Sequence, residues 1–382
     1  MSILLPLIFA LFATPTLAQI PLSIQEADVI TPFFTSSSPD LLPCSVHEWT
    51  PKLDFSFRFD SGYAVRCRVG IFGGKKNSIG IFARVTPAGK TAVLLAERFD
   101  LPGLDKFITG QDASKARNEF KVTGAFAVGE GDYGVEILVI DEQSRTFRKR
   151  WPIHIAMHRF QRDVSLAIAP LSVEPLFKPA SDIVAAAQGG WIRLTVLLDT
   201  APINPRTIQL HAWDRAFLIE SLYSLLRQTP YKSVRVVAFN LEQQREIFRR
   251  DHFDGEGFLG LIDQLRGAET GTVSTQALEN RDTPKFLINL VSKEMVSGNL
   301  SDAVVFLGPT TRPAGPIHAG QIVKNAGGPH WFYFEYSPTP GKLFPDGIEQ
   351  LTKTLDGKVY LIHSPAEFER SIDKMLSQLK RE

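Results

Sequence analysis

The hydrophobic pattern of this chain changes period once, near Trp191, and that change constrains its fold more than any other feature. Upstream, apolar residues recur at every second position. Leu53, Phe55, Phe57 and Phe59 alternate with Asp54, Ser56 and Arg58, as in a strand with one buried face. Asp60-Ser61-Gly62 reads as a turn, after which Tyr63, Val65, Cys67 and Val69 alternate with Arg66 and Arg68, so the two runs are expected to pair as a hairpin. Further strands are expected at 79–86, 91–96, 119–128, 135–139 and 147–155, with Pro87-Ala88-Gly89 turning a second hairpin. Downstream of Trp191, residues 192–198 form an almost continuous apolar run, the pattern of a strand buried on both faces. Strands at 234–240, 303–307, 330–336 and 359–362 then alternate with helical periodicity at 207–227, 257–265, 284–296 and 365–379. Such alternation predicts a doubly wound α/β sheet with crossover connections.

The expected organisation is therefore multidomain: an export signal at 1–18, a linker at 19–40, an all-β domain at 41–158, a linker at 159–190 and an α/β domain at 191–382. Residues 3–17 are almost wholly apolar and close on Thr16-Leu17-Ala18, small residues suited to signal cleavage. An N-terminal membrane anchor is the alternative; no later segment is long and apolar enough to cross a bilayer. A secreted or periplasmic location follows from the export reading. With 42 basic and 41 acidic side chains in 382 residues, the chain lacks the electrostatic footprint for nucleic acid or an anionic membrane surface. Cys44 and Cys67 are its two cysteines, expected to pair in an oxidising compartment, with two buried thiols as the alternative.

Two resemblances follow from particular residues. Gly129-Glu130-Gly131-Asp132-Tyr133-Gly134, leading into Val135, Ile137 and Val139, resembles the strand-entry turn of immunoglobulin-like β-sandwiches, where a Tyr hydroxyl closes a loop against backbone. From about Trp191 onward, with a first strand ending Leu197-Leu198-Asp199, the chain resembles the von Willebrand factor A family, including related proteins of bacterial secretomes. That family carries Asp-x-Ser-x-Ser at this strand end. The resemblance implies a Mg²⁺ site completed by a later Thr and a second Asp, with one open position for a partner's carboxylate. Asp199 matches the first ligand, but Ala201 and Ile203 stand where the serines would be. Thr272 is the match to the threonine, with Thr275 as the alternative, and Gly308 or Pro309 replaces the second Asp. With so few oxygens the site is expected to be degenerate: no cofactor, with Mg²⁺ as the alternative. Asp199 also suits the simpler role of capping the turn after its strand.

No complete catalytic set is visible. The eight histidines form no His-Glu-x-x-His motif, and neither Cys-x-x-Cys nor Gly-x-Ser-x-Gly occurs. His154 with His158, and Asp251-His252 with Asp254, are the nearest pairs, and Asp254 suits a helix N-cap. Gly89-Lys90-Thr91 mimics the end of a phosphate loop but reads as a turn, while Trp331, Phe332, Tyr333, Phe334 and Tyr336 read as a buried strand. The resulting expectation is an exported, non-enzymatic protein-binding or scaffold module that is metal-independent, its sandwich a spacer. Its alternatives are metal-dependent adhesion and a hydrolase using Asp199 and Asp254.

Overall fold

The computed structural model describes residues 20–68, 77–101, 119–176, 190–203, 210, 212–241, 243–267, 282–296, 301–311, 315–318, 320, 322, 327–337 and 345–380. The expected signal at 1–18 lies outside them. The chain divides into two compact units, Met1–Lys178 and Pro179–Glu382.

Among the described residues the first unit has nine strands: β1 (Ile20–Pro21), β2 (Cys44–Leu53), β3 (Phe59–Arg68), β4 (Asn77–Pro87), β5 (Val93–Leu101), β6 (Glu119–Val128), β7 (Gly131–Asp141), β8 (Thr146–Ile155) and β9 (Val173–Pro175). They form two antiparallel sheets, ordered β1-β5-β4-β7-β8 and β2-β3-β6-β9. The first hairpin differs from its expected position. Residues 54–58 are the turn, because Asp54 Oδ1 accepts from the Ser56 amide at 2.9 Å and the Ser56 hydroxyl at 2.6 Å, and Phe57 takes φ +58°. Ser61 and Gly62, expected to turn, lie inside β3, where a Cβ on Gly62 would come within 2.4 Å of the Gly124 carbonyl. In this register Cys44 and Cys67 are direct partners on β2 and β3, and they form a disulfide.

The five-stranded sheet is buried on both faces. Ile79, Ile81, Ala83 and Val85 on β4 share one with Val135, Ile137 and Val139 on β7. The other, with Phe82, Ala96, Leu138 and Ile140, lies under Ile30 and Phe34 of helix α1 (Ile24–Thr35). Residues 19–40, expected to be a linker, thus carry a docked helix. Ser23 and Glu26 cap its first turn reciprocally, at 3.4 Å and 2.8 Å. At its other end, Arg150 on β8 donates to the Phe34 carbonyl at 2.7 Å, and Arg148 donates to the Phe33 and Ser36 carbonyls and to Asp40. Guanidinium groups here satisfy the carbonyls that a helix end leaves over. The second expected linker, 159–190, contributes structure as well, since β9 completes the four-stranded sheet against β6.

The second unit runs β10 (Ile192–Asp199), α2 (Ala212–Gln228), β11 (Tyr231–Asn240), β12 (Arg245–Arg250), α3 (Gly255–Gly267), α4 (Thr283–Val296), β13 (Ala303–Pro309), β14 (His330–Tyr336), α5 (Gly347–Thr354), β15 (Lys358–Ile362) and α6 (Pro365–Leu379). Among the described residues its sheet is ordered β12-β11-β10-β13-β14-β15, with β12 antiparallel to its neighbour and the other pairs parallel. Leu197, Val237, Phe306 and Tyr333 lie in one core with Leu287, Leu290 and Val291 of α4 and Ile348 and Leu351 of α5. On the opposite face Tyr336 packs its ring 4.7 Å from Phe217 of α2, and Phe334 packs 5.9 Å from Phe368 of α6. Each such buried side chain contributes about 2 kcal/mol relative to exposure, so the apolar strands are held from both sides. Among the described residues no helix is long and apolar enough to cross a membrane.

Candidate functional site

Strand order reverses between β10 and β13, and ligands of open α/β sheets bind beyond the carboxyl ends of strands at such a point. Asp199 ends β10 there and is 1% exposed. Leu198 pairs with Leu307, so Asp199 and Gly308 follow side by side, and Gly308 pairs in turn with Glu335 of β14. Two buried carboxyl side chains thus flank a glycine in one cross-strand row. Its neighbours require the glycine, since a Cβ on Gly308 would lie 2.7 Å from that of Asp199.

Two positions before Glu335 on β14, Tyr333 is buried completely. Its hydroxyl donates to the Pro309 carbonyl at 3.1 Å and to Asp346 Oδ2 at 3.3 Å. Burial raises its pKa well above the ordinary phenol value, and the charges of Asp346, Glu335 and Asp199 raise it further. The hydroxyl therefore stays protonated and acts as a donor. Asp346 caps α5 by accepting from the Glu349 amide at 2.8 Å, and it accepts from the Thr311 amide at 3.0 Å. Thr310 donates its hydroxyl to Glu335 Oε1 at 2.8 Å. The side chains at this strand edge hold one another and the loop after β13 in place.

Among the described residues, the positions that the resemblance assigns to metal donors differ from Asp199 in what they offer. Ala201 and Ile203 offer no side-chain oxygen, and the strand end that would carry the second Asp has no room for a Cβ at Gly308. Thr272 and Thr275 lie outside the described residues. Glu335 and Asp346, missed in the sequence, join Asp199 instead. Glu335 was hidden in the aromatic run of β14, whose Trp331, Phe332, Tyr333, Phe334 and Tyr336 are all buried as expected. Asp346 followed a stretch with no clear periodicity, although Asp346-x-x-Glu349 is a readable helix start.

The other sequence candidates fall elsewhere. Asp254 caps α3, accepting from the Gly257 amide at 2.8 Å, and pairs with Arg250 at 3.0 Å. It lies at the opposite end of the sheet from Asp199: the Phe253 amide bonds Val234, which pairs with Leu194, five residues before Asp199. At about 3.3 Å per residue the two carboxylates stand roughly 16 Å apart along the strands, too far to act on one bond. Asp251 pairs with Arg235. In the first unit His154 pairs with Asp132 at 2.6 Å, and His158 precedes a short 3₁₀ turn, Arg159–Gln161. Gly89-Lys90 turns between β4 and β5, with Gly89 at φ +71°.

No protein-family model matches this chain, and no curated protein matches it. Among solved structures, the chain is similar to the ApaA protein of Bordetella pertussis, with 17% identity over 32% of this chain and 99% of that one, at a TM-score of 0.17. It is also similar to a β-glucuronidase of Bacteroides uniformis, with 9% identity over 84% of this chain and 39% of that one, at 0.21. A glycosyl hydrolase family 2 member of Bacteroides cellulosilyticus gives 10% identity over 82% and 38%, at 0.21. At these scores a shared fold does not follow.

Proposed function

We propose that this chain is an exported binding protein whose α/β unit is von Willebrand factor A-like and engages a protein partner without a metal ion, preceded by an immunoglobulin-like sandwich. The sheet order supports the architecture: counted within the α/β unit, the strands lie third, second, first, fourth, fifth, sixth, with the third antiparallel. In the all-β unit the Tyr133 hydroxyl donates to the Gly129 carbonyl at 2.9 Å, the loop closure of an immunoglobulin-like corner. A disulfide suits an oxidising compartment.

The row Asp199–Gly308–Glu335 carries the metal-independent reading. Close approach at Gly308 excludes the family's second carboxylate, and both flanking carboxyl groups are buried, whereas a metal that accepts a partner's carboxylate needs an open position. Glu335 also favours a second reading, metal-dependent adhesion, because it brings a second carboxyl group beside Asp199. Thermal unfolding separates the two. The expected melting temperature is the same in excess chelator and in millimolar Mg²⁺ or Mn²⁺; a metal-dependent rise would overturn the first reading in favour of the second.

A further inference from the structure

A groove of about 530 Å³ opens at one end of the five-stranded sheet of the all-β unit, bounded by the β4–β5 turn, the start of β7 and the end of β8. Its floor is Gly134, flanked in register by Thr86 on β4 and Pro152 on β8. A Cβ built on Gly134 would meet nothing within 4 Å, so packing inside the unit does not require glycine there. Glycine inside a strand weakens it, and one recognised reason for its presence is close approach of a ligand or another backbone. Two polar groups frame this bare stretch. Asp132 Oδ1 lies 2.6 Å from His154 Nδ1, a contact that engages that nitrogen and orients the imidazole. Lys90 lines the same groove, its ammonium in a long 3.4 Å contact with the Pro170 carbonyl.

We propose that this groove binds the C-terminal residue of a peptide. The second ring nitrogen of His154, the cation at Lys90 and the bare stretch between Thr86 and Pro152 match the three parts of such a residue. The terminal amide N–H donates to His154, the carboxylate pairs with Lys90, and the last side chain lies over Gly134. Asp132 orients the imidazole and is a positioning residue. On this assignment the all-β unit is a recognition module in its own right, independent of how the α/β unit is read.

The test titrates the full chain with an acetylated trialanine bearing a free C-terminal carboxylate and, separately, with its C-terminal amide, following the backbone amides of Gly134 and Lys90 by NMR. Saturable shifts are expected for the acid, with at least about tenfold weaker binding of the amide. Gly134→Val fills the empty space with a residue that favours strands and is expected to abolish binding while melting like the parent. His154→Ala and Lys90→Gln are each expected to weaken binding about tenfold and carry the test if Gly134→Val fails to fold. Equal response to acid and amide, binding unchanged in these variants, or no shift at about 10 mM peptide would overturn the proposal.

Discussion

Two buried carboxyl groups, one in each unit, are handled in opposite ways. Asp346 in the α/β unit is fully buried and accepts from the Glu349 and Thr311 amides and the Tyr333 hydroxyl. Glu97 in the all-β unit is 6% exposed, stands beside Ile81 in the register of β4 and β5, and has its pKa pushed up to about 7 by burial alone. The first is an organising acceptor that joins a helix start to a strand-end loop. The second is a group that the fold tolerates in its neutral form. Burial by itself therefore does not mark a working carboxylate; the donors gathered around it do.

The contrast is sharpest on substitution. Asp346→Ala removes an N-cap and leaves the Glu349 and Thr311 amides short of an acceptor, while the Tyr333 hydroxyl keeps the Pro309 carbonyl, so it is expected to cost about 4 kcal/mol, read as a lowered guanidinium midpoint. For Glu97 the sign runs through proton linkage. Its folded pKa of about 7 exceeds the ordinary 4.5, so the folded state holds a proton that the unfolded chain releases between these values. The stability that Glu97 contributes is fully present below pH 4.5 and is lost as pH rises through 7, by about 3 kcal/mol in all. Urea unfolding across this range is expected to show that loss in the parent and not in Glu97→Gln; equal slopes would remove the distinction. Smallest is Arg148→Ala, which frees the last carbonyls of α1 and is expected to speed amide exchange across residues 24–35 about tenfold, or 1.4 kcal/mol.

Periodicity made most elements of the α/β unit legible, including β14 and α6 at their observed bounds, because each buries a regular apolar face. It missed α1, which starts with a Ser23-x-x-Glu26 capping box but contains Pro32 and lies in text rich in Ser and Thr. What holds that helix is Arg148 and Arg150, more than a hundred positions later, and no local pattern carries that information. The first turn was misplaced for a local reason, since Asp54 and Ser56 outcompete an alternation that looked strand-like. At the candidate site, Asp199 was legible as a polar residue ending an apolar strand. Glu335 and Asp346 were not, because their roles depend on the register of β13 with β14 and on the packing of Tyr333 beneath them. The tight approach at Gly308, which bears most directly on the metal question, exists only once β10 and β13 are paired.

The most direct test of the proposed metal-independent reading is a calorimetric titration of Mg²⁺ and Mn²⁺ into the metal-stripped protein, with Asp199→Ala as the control. The closed row Asp199–Gly308–Glu335 predicts no saturable heat from either ion in the parent or the variant. Saturable binding in the parent that disappears in Asp199→Ala would contradict it and restore metal-dependent adhesion as the reading of this strand edge.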